Sequence, residues 1–115
     1  MDRCVVVNRD FNDVYGEYSE RTYLWFDRSK AQAFDEDTRW DGHNNISLAT
    51  GSQWDHETLY RTAGGKWIIG FNSAYQGHAD GYREIGNSEA ASWLLRNGYD
   101  PEPSCAAEYA ALEIS

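Results

Sequence analysis

Long apolar runs are missing from this chain. Runs such as residues 4–7, 23–26 and 67–69 fall far short of the ~20 residues a membrane-spanning helix needs. The opening Met1-Asp2-Arg3-Cys4 also lacks the charged-then-apolar pattern of a signal peptide, so a cytoplasmic protein with no membrane partner is expected. Cysteine is scarce: Cys4 and Cys105 lie too far apart for a disulfide framework or a zinc-binding spacing. Both are expected to be reduced, buried side chains. Positive charge is thin as well, and Arg21, Arg28, Lys30, Arg39, Arg61 and Lys66 never cluster. A phosphate backbone needs such a cluster, so direct nucleic-acid binding is not expected.

Acid and aromatic residues are plentiful. Nineteen Asp and Glu against ten Lys and Arg give a formal charge of −9. Three stretches hold the excess: residues 10–20 with four acids, 35–41 with four acids and Arg39, and 100–115 with four acids. Such zones repel nucleic acid and anionic membranes and attract basic surfaces. The 115 residues fit one domain, and five Trp, eight Tyr and four Phe supply a core that a disordered chain lacks. Residues 1–115 are therefore expected to form a single compact domain.

Residues 3–8 are rich in branched aliphatics and predict a strand, while 11–20 reads as a loop or an irregular hairpin arm. Residues 21–26 predict a second strand. Ser29 with Gln32 three positions on has the capping-box form and predicts a helix over 29–37. Residues 57–62 and 66–71 flank Ala63-Gly64-Gly65, a hairpin signal, with Trp67, Ile69 and Phe71 on one face. Residues 82–85 can add a strand. Ser88, Glu89 and the stripe Ala91, Leu94 and Leu95, stopped by Gly98, predict the best helix in the chain. After the stiff Asp100-Pro101-Glu102-Pro103 joint, Ser104 can cap a last helix carrying Cys105, Tyr109 and Leu112. The expected fold is α+β: an antiparallel sheet of four to five strands with two to three helices packed on one face.

Residues 35–56 do not look like core. Ile46 and Leu48 are the only aliphatics there larger than Ala, yet Trp40, Trp54, His43 and His56 are present. Asn, Asp, Ser and Gln can hold such a loop rigid through their own backbone hydrogen bonds. Long polar loops with a few aromatics make recognition surfaces; the plainer alternative is a cover for one end of the sheet, with both Trp packed inward. A second polar connection, 72–80, carries Tyr75, Gln76 and His78 and reads as an ordinary surface loop.

Chemical motifs are absent. His43, His56 and His78 have no metal-ligand spacing, and Asp35-x-Asp37 fails as a calcium loop because Arg39 occupies its fifth position. No Gly-x-Ser-x-Gly elbow occurs, neither Cys neighbours a His, and Gly64-Gly65-Lys66 lacks the spacing of a phosphate loop. No cofactor and no metal are expected. An enzyme would have to use His56 with Asp55 or Glu57, or a spatial pairing such as Ser52 with His56.

The runs TRWDGHNNIS and TGSQWDHETLYRT, followed by GGKWI and EAASWLLRNG, resemble small acidic proteins of bacterial and phage genomes. In size, acidity and lack of motifs the chain is similar in type to phage inhibitors of host defence, including anti-CRISPR and anti-restriction proteins. That similarity implies a protein-binding role without catalytic residues. The leading expectation is an inhibitor that occupies a basic groove of a nucleic-acid-handling protein. Asp10, Asp13, Glu17, Glu20, Asp35, Glu36, Asp37 and Asp41 would stand for phosphates, and Trp40 and Trp54 would be apolar anchors. The alternatives are the small enzyme and a homodimerising or antitoxin-like module with an apolar patch around Tyr109, Leu112 and Ile114.

Overall fold

The computed structural model describes the backbone of residues 1–12, 17–73 and 80–114, and the side chains of these residues except 8–22. Among the described residues the fold is α+β and mostly sheet. β1 (Arg3–Asn12) and β2 (Glu17–Asp27) form an antiparallel ribbon. β3 (Gln32–Asp35), β6 (Asp55–Arg61), β7 (Trp67–Ser73) and β8 (Gly81–Ile85) form the central antiparallel sheet in that order. Between β3 and β6, β4 (Thr38–Trp40) and β5 (Asn45–Ser47) make a third, two-stranded sheet. α1 (Asn87–Arg96), a 3-10 turn (Pro103–Cys105) and α2 (Ala106–Ala110) close the chain.

Both faces of the central sheet are covered, and side-chain alternation divides them. Leu59, Trp67, Ile69 and Ile85 point to the helical face, where they pack with Phe34, Ala90, Ala91, Trp93, Leu94 and Cys105. Ile68 points to the opposite face and meets Cys4, Val6 and Phe26 of the ribbon, flanked by Tyr60 and Tyr82. Phe26 stands edge-on to Tyr82 with centroids 5.4 Å apart, and tilted to Tyr60 at 5.6 Å. Burying one such side chain contributes about 1.5–3 kcal/mol. Space at Gly70 is tight: a Cβ would come 3.0 Å from the Tyr60 ring and 3.1 Å from the Tyr82 ring, so the rings would have to give by a few tenths of an ångström. The α+β class is as expected, but in place of one sheet of four to five strands the described residues form eight strands in three sheets with two helices, and the first two strands make a separate outer layer.

The β6–β7 hairpin and β8 follow the predicted pattern, and α1 forms where a helix is expected. Three expectations need correction. The helix over 29–37 is instead a 3-10 turn, Arg28–Lys30, followed by β3. Asp27 caps that turn by accepting from the Ser29 amide at 3.1 Å and its hydroxyl at 2.6 Å, and Ala31 is already extended. Pairing with β6 then places Phe34 opposite Leu59 in the core, and this tertiary contact overrides the local capping signal. Of the two readings of 11–20, the loop falls and the irregular hairpin arm stands: the described residues 11–12 and 17–20 are strand, with Asp10 on β1 facing Ser19 and Glu20 on β2 at a bulge.

The third correction concerns α1. Gly86 occupies its N-cap without a side-chain hydrogen bond, and Ser88 lies inside the helix. Its buried face is Ala90, Ala91, Trp93 and Leu94, whereas Leu95 is exposed. At its end Tyr99 N–H reaches Leu94 O at 2.9 Å and Gly98 N–H reaches Leu95 O at 3.2 Å. This Schellman closure needs the left-handed conformation that Gly98 adopts at φ +78°. Both cysteines are buried and free, and burial pushes the Cys105 thiol above its ordinary value.

Candidate functional site

The polar connection from β3 to β6 is tied together by one carboxylate. Glu36 directly follows β3 and turns inward, its side chain 14% exposed. One of its oxygens pairs with His56 Nδ1; the other accepts from the Ser47 hydroxyl and, at 3.1 Å, from the Glu57 amide. Ser47 is fully buried, and its Oγ also accepts from the Ala49 and Thr50 amides at 3.1 and 3.2 Å. The Thr50 hydroxyl donates to Asp55 O at 2.8 Å and accepts from Ser52 N–H at 3.2 Å. Ser52 Oγ accepts from the Trp54 and Asp55 amides at 3.0 and 3.3 Å. Short polar side chains therefore take the place of a strand ladder as partners for the backbone.

The rest of the connection is anchored from two sides. Asp41 Oδ1 accepts from the His43 and Asn44 amides at 2.8 and 2.7 Å, and the Asn44 and His43 N–H groups hold its carboxyl below the usual value. Asp37 N–H donates to Asn97 Oδ1 at 2.8 Å, while Asn97 Nδ2 donates to Trp93 O at 2.8 Å. Tyr99 OH reaches Asp35 O at 2.8 Å, and Trp93 Nε1–H reaches Glu57 Oε1 at 3.1 Å. The end of α1 thus grips the start of the connection and the start of β6.

The predicted binding residues separate into groups. Trp40 is 63% exposed and Trp54 42% exposed, so the alternative of an inward-packed Trp pair does not hold. Asp35, Asp37 and Asp41 are exposed along the same connection. Glu36 is the correction: its carboxylate is spent on internal partners and is not a surface charge. The backbone of Asp10, Glu17 and Glu20 runs on the outer ribbon, but their side chains lie outside the described residues, as do Asp13, Tyr75, Gln76 and His78.

The enzyme expectation changes its residues. His56 is held by Glu36 rather than by Asp55 or Glu57, since Glu57 serves Trp93 and Asp55 takes part through its backbone. A neutral imidazole that donates from Nδ1 to this carboxylate has Nε2 as its acceptor nitrogen, an arrangement a general base can use. The His56 side chain is 40% exposed beside a hollow of about 220 Å³ that Phe71 and Asn72 also line. Ser47, the hydroxyl on the same carboxylate, is buried beyond reach of a substrate, and Ser52 is engaged by two amides. Among the described residues, no group of three or more His, Cys, Asp or Glu could hold a metal ion, and no helix is long and apolar enough to cross a membrane.

Glu36, Ser47 and Asn97 were not legible from their neighbours, because the bonds Ser47–Glu36, Glu36–His56 and Asn97–Asp37 span between 11 and 60 residues. Fold and site define an α+β domain with a hydrogen-bonded acidic loop that presents indoles to solvent. No family model matches the chain, and neither a curated protein nor a solved structure matches it.

Proposed function

We propose that this protein is a binding inhibitor that occupies a basic nucleic-acid-binding groove on a partner, of the anti-CRISPR or anti-restriction type. The supporting observation is the exposure of Trp40 and Trp54 on a connection whose polar side chains already immobilise its backbone. A preorganised loop loses little entropy on docking, and exposed indoles are strong interface anchors. Asp35, Asp37 and Asp41 supply the charge that selects a basic partner and speeds its capture. The chain's −9 charge acts in the same direction over longer range.

The test is capture from a bacterial lysate by the immobilised protein, washed at rising salt and read by mass spectrometry. A basic nucleic-acid-binding protein should be recovered, released by salt and by competing duplex DNA, and lost with the Trp40→Ala/Trp54→Ala variant. Capture indifferent to salt, DNA and both indoles, or a blank, sinks the proposal.

Self-association is the second reading, and it has its own observation. Leu95, Leu112 and Ile114 are exposed, and the first two line a hollow of about 290 Å³ with Tyr109. Sedimentation of the free protein at high concentration separates the readings: a monomer excludes the homodimer.

A further inference from the structure

A different part of the molecule has the shape of a small-ligand site. We propose that the cleft between β2 and the β6–β7 turn binds a small amphipathic carboxylate, with its aliphatic body inside and its carboxylate at Lys30 and Lys66. The cavity is about 330 Å³, at the lower end of the range for ligand sites. Its walls come from two layers: Val6, Leu24, Trp25 and Phe26 from the ribbon and Ile68 from the central sheet.

The space is open for a reason visible in the register. Leu24 pairs with Val6 and alternates with Phe26, so it belongs to the ribbon's inward series. Val6 and Phe26 find the sheet beneath them, whereas Leu24 stays 44% exposed. Beside it lies the β6–β7 turn, where Ala63 and Gly64 offer no bulk. A Cβ at Gly64 would meet only Thr62 Oγ1, at 3.9 Å. The turn is itself well held, by Thr62 N–H to Lys66 O at 2.8 Å and Lys66 N–H to Thr62 Oγ1 at 3.0 Å. A firm turn of small residues leaves a lasting apolar hollow.

Charge at the rim selects the ligand's head. Two cations and two carboxylates line the cleft. Asp27 is occupied by the Asp2 amide at 3.0 Å and by Ser29, and Glu84 has a partner of its own. The ammonium groups of Lys30 and Lys66 meet no ion-pair or hydrogen-bond partner among the described residues. A purely apolar ligand leaves these cations unused, and a bare anion leaves the apolar walls wet. A monocarboxylate with an aliphatic chain uses both.

Octanoate is the probe, titrated into the whole protein and followed by calorimetry and by NMR of the Trp25 indole and the Leu24 and Ile68 methyl groups. Octanol and acetate are the controls. Saturable octanoate binding with shifts at those three residues is expected, with octanol about fivefold weaker and acetate silent. The Lys30→Met/Lys66→Met variant should remove the preference for octanoate over octanol. Gly64→Leu fills the cleft without backbone strain and should abolish binding, with an unchanged amide spectrum elsewhere confirming its fold. Absence of saturable binding, shifts elsewhere on the surface, or equal affinity for octanoate and octanol overturns the proposal. None of these outcomes depends on the acidic-loop reading.

Discussion

The outer ribbon and the 36–54 connection both flank the central sheet, but they are held by opposite chemistry. The ribbon is held by apolar side chains on alternating positions: Cys4, Val6 and Phe26 face Ile68, Tyr60 and Tyr82. The connection buries little apolar surface and is held by Glu36, Ser47, Thr50, Ser52 and Asn97, each bonded to amides, carbonyls or one another. Apolar contact is roughly proportional to area and tolerates small shifts. A polar network depends on direction, and one missing member strands several partners. The ribbon should therefore lose stability in proportion to volume removed, and the connection in proportion to partners orphaned.

The largest effect is expected from Phe26→Ala, at about 3–5 kcal/mol in urea unfolding, because the removed ring leaves a cavity between Tyr60 and Tyr82. Phe26→Leu should recover much of that loss. If the two variants cost the same, area is not what holds the ribbon. Glu36→Ala should cost about 2–3 kcal/mol, since Ser47, His56 and the Glu57 amide all lose their acceptor. Adding Ser47→Ala in that background should cost far less than Ser47→Ala alone. Additive costs would show that the two residues do not act as one network.

Asn97→Ala is expected to cost about 1–2 kcal/mol by unpairing the Asp37 amide, while the Trp93 carbonyl keeps the backbone N–H of residue 97. Its signature is faster amide exchange at Asp37, with protection in β1 and β2 unchanged. Acid should act on the connection in a defined direction. The folded Asp41 carboxyl lies below its ordinary value of 3.8, so its contribution is complete above that value and fades as pH falls through the lower folded one. Asp41→Ala should flatten this acid limb in the exchange of the His43 and Asn44 amides; an unchanged limb would falsify the capping role. The smallest stability effect belongs to Trp40→Ala and Trp54→Ala, within about 0.5 kcal/mol each because both indoles are exposed. They sharpen the contrast by separating loop stability from loop recognition.

Much of the fold was legible where local pattern and tertiary demand agree. Trp67, Ile69 and Phe71 alternate onto the helical face, and Gly98 stops α1. Reading failed where a remote partner outweighed a local signal. Ser29 and Gln32 have the spacing of a capping box, yet Asp27 takes the Ser29 hydroxyl and β6 takes the backbone of 32–35. The candidate loop was legible in outline as a polar stretch with two Trp that could be rigid without secondary structure, whereas the short β4–β5 pair lies within it. Its central residue was assigned the wrong direction, because nothing near Glu36 in sequence reveals an inward carboxylate.

Composition and periodicity by themselves determined the acidity, the α+β class, the β6–β7 hairpin and its core face, the place of α1 and the region of the chain rich in unburied chemistry. These are properties of near neighbours, set by side-chain period, turn residues and summed charge. Tertiary structure alone decided that the first two strands form a second cover, that Glu36 is internal while Trp40 and Trp54 are exposed, and that Leu24 borders an unfilled cleft. Each depends on groups tens of residues apart meeting at a fixed distance, and the pairing of distant surfaces is settled only when the whole chain packs at once.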